Sequence, residues 1–517
     1  MSDPRSVVGR VARLPRPTLG RRAASGFVAA VVLLCWHGLT VATDVPSLLL
    51  PSPATVGRTL VRHAPEMAPH VVYTGYEVGL GWGVGTGVGV LLALVLTVSR
   101  PIRLVGAPVL LAVQVVPVVV FAPLLILLFD ATLLTRTLIA ALLTFFPVTV
   151  ATLDGLRSVP AGQLALLRSI GVPRWRRVLY VRVPNAVPTL VTGLKLATPV
   201  AVQGVILAEF LAAERGIGHQ LLSTAKRFDT ALLFAYVLVL AALGMALFAG
   251  VAAVERRLRG DATGEGDLLE ATGVLGTASV AIRGTSGIAA AALVLGGWQV
   301  AAGTTALLPS PVGVATTLAR FPDLFLTTSV ETLAKFGVGW SVGAATGLTV
   351  GTATALVPRI RSTVEGTLVG FRAVPDLALV PLLLVWVRIS FEAAVVLVAV
   401  AAVFPVAVGT AAGLRRMPAA HADLLELVDA APGHRLALRF RHAVPALFAG
   451  VKLSIVRSLA AVVVAEWFVA ETGVGVLLLQ GMTNGQPALT FAAAVVLFGL
   501  GVGLFGLVVG VQRRVSW

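Results

Sequence analysis

The chain has 517 residues, of which 57% are hydrophobic and only 12% are charged. Soluble domains carry about 25% charged residues, so this composition excludes an ordinary soluble enzyme or binding module. The apolar residues fall into runs of roughly 18–25 residues, the length that crosses a hydrocarbon core of about 30 Å. Because backbone groups in lipid must be satisfied within each segment, we expect an all-α integral membrane protein.

The formal net charge is +16, with 40 basic and 24 acidic side chains. Arginine-rich loops on the cytoplasmic side of membrane proteins account for such an excess. No basic segment is interleaved with aromatic residues, so we predict contact with membrane lipid and no nucleic-acid partner. Cys35 is the single cysteine, which excludes an intrachain disulfide. The first apolar run is long enough to remain as a span, so we predict no cleaved signal.

An internal repeat determines the predicted architecture. Leu-Leu-Pro-Ser-Pro at 49–53 recurs at 307–311, an offset of 258 positions. Two further pairs keep this offset, namely Gly81-Trp82 with Gly339-Trp340 and Phe146-Pro147 with Phe404-Pro405. After about residue 171 the offset becomes 257, as in Ala208-Glu209 with Ala465-Glu466. Such a register indicates a duplicated unit. We expect about 12 transmembrane helices arranged as two parallel six-helix repeats, because each unit has an even number of spans.

The predicted elements follow in chain order. In the first unit the spans lie near 26–43, 71–98, 104–129, 132–152, 186–211 and 230–254. In the second they lie near 286–306, 328–357, 362–387, 391–411, 443–470 and 487–511. The predicted organisation is a cytoplasmic N-terminal segment 1–25, a first repeat 26–254, a cytoplasmic linker 255–285, a second repeat 286–511 and a cytoplasmic tail 512–517. The arginine distribution places both termini in the cytoplasm of a multi-pass plasma-membrane protein.

The second and third spans carry glycine and proline patterns. Glycines spaced by four occur in both second spans: Gly81, Gly85, Gly89 and Gly339, Gly343, Gly347. This spacing favours a close-packing face over a strained segment. The third spans contain paired prolines, which kink helices: Pro117 and Pro123, matched by Pro375 and Pro381. These prolines are candidates for a bent, pathway-lining helix, and a purely structural kink is the alternative.

The polar segment between spans four and five of each unit, hereafter the 4–5 loop, is amphipathic and too polar to cross the membrane. In the first unit it predicts a short helix, a break at Gly171 and a second helix that re-enters the membrane. The alternative is a basic segment that lies on anionic lipid.

Glu209 and Glu466 occupy matching positions at the outer end of span five. Carboxylates in or near spans are candidates for function, here as pathway residues. The alternative is that each caps a helix or pairs with a basic side chain such as Arg215.

The first 4–5 loop resembles a known motif. Gly171, nine residues, and then Val181-Arg182-Val183-Pro184 are similar to the loop shared by permease subunits of binding-protein-dependent ABC importers. The flanking Phe146-Pro147, Ala208-Glu209 and Leu50-Pro51-Ser52-Pro53 resemble the nitrate/sulfonate/taurine branch. The resemblance covers nearly the whole chain, twice, and implies a type I importer permease fold.

The resemblance implies that each 4–5 loop forms a coupling helix that docks on a separate cytoplasmic ATPase. It assigns the coupling role to Ala165, Gly171, Arg174, Arg176, Arg177 and Pro184, and to Asp423, Asp429, Arg435 and Arg439. Both loops depart from the motif. Ala165 stands where the family has Glu, Asp429 replaces the Gly, and Arg441 replaces the Pro. We therefore expect the asymmetry between the halves to lie on the cytoplasmic face.

No Walker A sequence and no His/Cys metal cluster occur in the chain. We expect a non-enzymatic permease that binds no cofactor, with ATP on the partner subunits and solute delivered by an extracytoplasmic binding protein. Transport would proceed by alternating access of a small sulfonate-, taurine- or nitrate-like anion or a related organic solute. A secondary transporter with two parallel halves also fits the span count, and a membrane scaffold is a further alternative.

Overall fold

The fold was analysed on a computed structural model that describes residues 19–42, 46–99, 117–259, 284–305, 307–357, 376–387 and 390–515, with isolated positions between 102 and 110. Over these residues every regular element is helical, and none is a strand. The all-α prediction is confirmed.

The first half contains helices that follow the predicted order of spans. They are α1 (Leu19–Ala42), α2 (Pro53–Val98), α3 (Phe121–Phe129), α4 (Leu133–Arg157), α5 (Ala161–Ser169), α6 (Arg174–Ala212), α7 (Ile217–Lys226) and α8 (Thr230–Arg259). Helix α5 belongs to the 4–5 loop, and α7 connects spans five and six. The other six helices occupy the positions of the predicted spans.

The second half repeats this order. Its helices are α9 (Gly284–Ala302), α10 (Pro311–Arg320), α11 (Pro322–Leu356), α12 (Leu379–Trp386), α13 (Phe391–Arg415), α14 (Ala419–Leu427), α15 (Pro432–Phe468), α16 (Val474–Thr483) and α17 (Pro487–Val515). Among the described residues, seven helices are long and apolar enough to cross a membrane, namely α2, α4, α6, α8, α13, α15 and α17. The remaining predicted spans correspond to α1, α3, α9, α11 and α12.

The repeated Pro-Ser-Pro sequence starts a helix in each half. Ser52 Oγ accepts a hydrogen bond from Thr55 N at 3.2 Å, and Ser310 Oγ accepts one from Gly313 N at 3.1 Å. A proline follows each serine at the first helical position, where its missing N–H costs nothing. The helices that contain the second spans, α2 and α11, begin at Pro53 and Pro322, before the apolar runs predicted near 71 and 328.

Spans two and four pack through their glycines, as the four-residue spacing predicts. A Cβ at Gly85 would lie 2.7 Å from the carbonyl oxygen of Ala141, and one at Gly347 would lie 2.7 Å from that of Val403. Gly83, on another face of α2, has open space instead. The close-packing interpretation is confirmed.

The third spans pack across the boundary between the two halves. Helix α3 contacts α16 and α17 of the second half, and α12 contacts α7 and α8 of the first. A 3₁₀ turn precedes each helix, and Pro123 and Pro381 are buried within α3 and α12. Pro117 directly precedes the first turn, whereas Pro375 and most of the predicted spans 104–129 and 362–387 lie outside the described residues. The third spans therefore form part of the contact between the two halves.

Aromatic contacts join the halves as well. Phe210 and Phe468, near the ends of the two fifth spans, pack edge to face with ring centroids 5.5 Å apart. Trp386 packs against Phe234 at 6.2 Å and donates from its indole Nε1 to the carbonyl oxygen of Leu49 at 2.7 Å. The two repeats therefore form one helical body.

Candidate functional site

The first 4–5 loop folds as the sequence predicts, into a helix, a turn and a second helix. Helix α5 ends at Ser169, and Gly171 takes the left-handed conformation with φ +75°. Helix α6 then begins at Arg174 and continues into span five. Gly171 is suited to the turn because a glycine has no Cβ to clash in this conformation.

The second 4–5 loop keeps the same backbone with different residues. Asp429 occupies the Gly171 position and also has a positive φ, +42°. Aspartate tolerates this region better than most residues. The side chain of Asp429 lies 3.4 Å from Arg435 Nη2, and Arg435 Nε donates to the carbonyl oxygen of Ala430 at 2.7 Å. The departure from glycine therefore leaves the turn in place.

A π-helical turn accounts for the slip of the repeat offset from 258 to 257. It spans Val178–Arg182 in α6 and ends two residues before Pro184. A π turn accommodates one extra residue within an α-helix. It also suits Pro184, which cannot donate to the helical ladder. In the second half α15 is α-helical over the matching segment and has Arg441 in place of the proline. The extra residue therefore lies at 178–182, within the predicted stretch that follows residue 171.

Both 4–5 loops present apolar side chains at their surfaces. Leu166 and Ile170 are 63% and 67% exposed in the first loop. Leu424 and Val428 occupy the matching positions in the second and are 56% and 64% exposed. Exposed apolar residues repeated on two surfaces are typical of a protein interface.

The sequence-predicted coupling residues surround these apolar pairs. Ala165, Arg174, Arg176, Asp423 and Asp429 are exposed, and Arg177, Arg435 and Arg439 are half-buried. The Arg176 guanidinium also lies 5.1 Å from the ring centre of the neighbouring Trp175. The residues of each loop are thus brought together on one end of the helical body, hereafter the loop end.

Glu209 lies at the opposite end, where it fixes the start of α7. Its Oε1 accepts from Thr74 Oγ1 at 2.7 Å, and its Oε2 accepts from the backbone N–H of Gly218 at 2.6 Å. Thr74 Oγ1 in turn accepts from the N–H of Ile217 at 2.8 Å. The carboxylate therefore caps a helix N-terminus, where the helix dipole favours negative charge.

The glycines that follow Glu209 are required by this geometry. Gly216 has a φ of +108°, and a Cβ there would overlap the Glu209 carboxylate. A Cβ at Gly218 would lie 2.8 Å from Glu209 Cβ. The repeated Gly-x-Gly sequence is thus the backbone counterpart of the repeated glutamate.

Glu466 makes the same contacts in the second half and gains an ion pair. Thr332 Oγ1 donates to Oε1 at 2.8 Å, and the N–H of Gly475 donates to Oε2 at 2.8 Å. Lys335 Nζ lies 3.1 Å from Oε1 and also donates to the carbonyl oxygen of Thr472. The first half has Glu77 at the position of Lys335, and Glu77 pairs with Arg136 at 2.6 Å.

These geometries favour the helix-cap interpretation of Glu209 and Glu466. Each is only 1% exposed, and both oxygens of each carboxylate already accept hydrogen bonds within the same half. Arg215 is not among the described partners of Glu209. A pathway role for the two glutamates stays a prediction.

The buried charges also correct the expected location of the asymmetry. Glu77, Arg136 and Lys335 lie within helices and are at most 8% exposed. The position equivalent to Arg136 is Ala394 in the second half. Sequence reasoning missed these residues, although the Glu-to-Lys difference at an offset of 258 could have identified them. The halves therefore differ at both ends and not only in the 4–5 loops.

The same family model matches the chain twice. Residues 85–260 and 343–517 each match the "Binding-protein-dependent transport system inner membrane component" family. The chain belongs to this family. It is accordingly a multi-pass membrane permease component of an importer, and its two matches coincide with the two halves of the fold.

Relatives of this family are about the size of one half. A probable ABC transporter permease protein of Haemophilus influenzae is 32% identical over 221 residues, which are 43% of this chain and 90% of the relative. A formylaminopyrimidine transport permease protein of Halalkalibacterium halodurans is 32% identical over 211 residues, 41% of this chain and 84% of the relative. A putative aliphatic sulfonates transport permease protein of Bacillus subtilis is 27% identical over 231 residues, 44% of this chain and 84% of the relative. No solved structure matches the chain.

Proposed function

We propose that this chain supplies both halves of an importer's translocation pore from one polypeptide. Separate ATPase subunits would bind the two 4–5 loops, and a solute-binding protein would deliver solute at the end that carries Glu209 and Glu466. The loop end and both termini would face the cytoplasm of a cell bounded by its plasma membrane. The chain itself would hydrolyse no ATP and bind no cofactor.

The main support for this proposal is that the two 4–5 loops present the same kind of surface. Each consists of a short helix, a left-handed turn and a long helix that enters the body, with the matching exposed pairs Leu166–Ile170 and Leu424–Val428. The long helices α6 and α15 continue directly into the fifth spans. Movement of a bound ATPase would therefore reach the boundary between the halves through two rigid helices.

Alternating access is supported by the position of the third spans. Helices α3 and α12 each pack against the opposite half, and they carry the buried prolines Pro123 and Pro381. We propose that rocking of the two halves opens and closes a pathway lined by these helices. The domain organisation would then be two permease repeats, 26–254 and 286–511, joined by the linker 255–285.

The proposed substrate is a small anion such as a sulfonate, taurine or nitrate, or a related small organic solute. Two relatives support this range, since one is named for aliphatic sulfonates and another for formylaminopyrimidine. Uptake of labelled taurine, an alkyl sulfonate and formylaminopyrimidine into proteoliposomes, with the ATPase and binding protein present, would distinguish these classes.

ATPase docking can be tested by charge reversal at the loop end. We expect the triple variant Arg174→Glu, Arg176→Glu, Arg177→Glu to lose co-purification with its ATPase. The matched control reverses Arg58, Arg62 and Arg320, which are exposed outside the 4–5 loops, and should retain the ATPase. Unchanged co-purification of the triple variant would argue against the loop as the contact. Uptake that persists without ATP would favour a secondary transporter, and no ATPase association at all would favour a scaffold.

A further inference from the structure

A pocket of about 390 Å³ lies behind the first 4–5 loop, lined by residues of α2, α5 and α6 and by Arg103, which follows α2. This volume is at the lower end of the range for small-ligand sites, about 300–1,000 Å³. Among its described lining residues five are arginines and none carries a carboxylate: Arg103, Arg168, Arg174, Arg177 and Arg182, beside Thr97, Leu164 and Val178. So many cations around one cavity repel one another unless an anion is bound between them.

One of these arginines has a hydrogen-bond donor without an acceptor. The Nε atom of Arg177 is buried and has no hydrogen-bond partner among the described residues. A buried N–H without an acceptor is costly, and such groups call for an unseen partner. Guanidinium groups bind phosphate through two parallel hydrogen bonds, which makes arginine the preferred residue for this ligand.

The second 4–5 loop lacks this arrangement. Glu426 and Pro432 stand at the positions of Arg168 and Arg174. Arg435, which corresponds to Arg177, is bonded to Asp429 and to the carbonyl oxygen of Ala430. Two of the five arginines are therefore replaced in the second half, and a third has protein partners, so we expect the anion site only in the first half.

We propose that this pocket is a binding site for one phosphate-bearing anion per chain. The phosphate could belong to an anionic lipid headgroup or to a soluble phosphate compound. Because the pocket lies between the end of span two and the 4–5 loop, its occupant would tie the coupling segment to the body and would affect only one of the two ATPase contacts. The binding claim itself does not depend on the proposed transport function.

The second half provides variants that the fold is known to accommodate. Arg168→Glu and Arg174→Pro place the residues of the second loop into the first, and proline is favoured at the first helical position. Arg176→Glu is the matched control, because it makes the same charge change as Arg168→Glu in the same loop but does not line the pocket. Size-exclusion chromatography and circular dichroism would verify that each variant remains folded.

Two binding measurements on the full chain in a neutral detergent distinguish the sources. Isothermal titration calorimetry would test inorganic phosphate, and native mass spectrometry would test short-chain phosphatidylglycerol against the zwitterionic phosphatidylcholine. We expect one equivalent of one of these anions to bind. Its affinity should fall by about tenfold or more in Arg168→Glu and in Arg174→Pro. The Arg176→Glu control should change affinity less than about twofold, because Arg176 does not line the pocket and its charge acts only through solvent.

The proposal is overturned if neither anion binds, or if Arg176→Glu weakens binding as much as Arg168→Glu does. It is also overturned if Arg168→Glu abolishes ATPase association while no phosphate or lipid binds, because the pocket would then accept a protein carboxylate. Binding of phosphatidylglycerol alone identifies a lipid site, and binding of inorganic phosphate alone identifies a soluble ligand. These outcomes are independent of whether transport is detected.

Discussion

The two halves of the chain contain the same group of hydrogen-bonded residues around a buried glutamate, hereafter the clamp, but differ in the charged residue beside it. In both, a buried glutamate accepts from a threonine hydroxyl of span two and from the backbone N–H of the second glycine of a Gly-x-Gly sequence. In the first half the neighbouring position holds Glu77, which pairs with Arg136 of span four. In the second half it holds Lys335, which pairs with the clamp glutamate itself.

This difference shows which parts of a duplicated site are free to change. The threonine, the glutamate and the glycines satisfy each other's hydrogen bonds, so replacing any of them leaves a buried polar group without a partner. The charged side chain beside the clamp, Glu77 or Lys335, needs only one residue of opposite charge close to it. The charge at this position therefore differs in sign between the halves. Glu77 has a partner of its own in Arg136, whereas Lys335 pairs with Glu466 of the unchanged clamp.

We expect the largest loss of stability from replacing the buried cations of the two ion pairs, Lys335 and Arg136. We expect Lys335→Met to reduce the free energy of unfolding by about 3–5 kcal/mol, because Glu466 would remain buried without its ion-pair partner. Arg136→Met should cost a similar amount by isolating Glu77. Denaturant or thermal unfolding in detergent would measure both. Lys226→Met, at an exposed position of α7, is the control, and a loss no larger than in that variant would contradict the ion-pair account.

Helix packing should be equivalent in the two halves. We expect Gly85→Ala and Gly347→Ala each to cost about 1–3 kcal/mol, because the new methyl group overlaps a backbone carbonyl of span four. Gly83→Ala and Gly337→Ala, which have open space, should be neutral or slightly stabilising. Thermal unfolding of the four variants would compare them. Equal behaviour at all four positions would show that the glycines do not define the packing face.

The clamp threonines should differ between the halves. Thr74→Val and Thr332→Val each remove a donor to the glutamate and an acceptor for a backbone N–H, at about 1–2 kcal/mol. We expect the Thr74 variant to be the less stable of the two, since Lys335 still pairs with Glu466, whereas no cation among the described residues contacts Glu209 directly. The unfolding midpoints of the two variants, measured under the same conditions, would test this order. The reverse order would mean that Lys335 contributes little to the clamp.

The smallest effect concerns the two tryptophans of span two. Trp340 Nε1 donates to Ser454 Oγ at 2.9 Å. Its counterpart Trp82 has no hydrogen-bond partner for Nε1 among the described residues, and the position that corresponds to Ser454 is Ala197. We expect Ser454→Ala to cost about 0.5–1.5 kcal/mol and Ala197→Ser to gain up to about 1 kcal/mol. Thermal unfolding of both variants tests this. An unchanged stability in Ser454→Ala together with a loss of stability in Ala197→Ser would contradict the hydrogen-bond explanation.

Much of the fold follows from periodicities that the sequence displays directly. The glycine spacing in span two predicts its packing face, and the Gly171 break predicts the two helices of the first 4–5 loop. The helix starts at Pro53 and Pro322 could not be read from hydropathy, because charged residues such as Arg62, Glu66 and Glu331 interrupt the apolar pattern beyond them. The π turn at 178–182 was visible only as a one-residue change of offset, which gives no position for the extra residue.

The sequence by itself determined the duplication, the helical class and the motif residues of each half, since these depend on spacing and composition along the chain. Tertiary structure decided which distant residues meet. The pairs Glu77–Arg136 and Lys335–Glu466 and the five-arginine pocket join side chains that lie on different helices. Their partners are set by how the helices pack, and local sequence patterns carry no information about contacts between residues that are 59 or 131 positions apart.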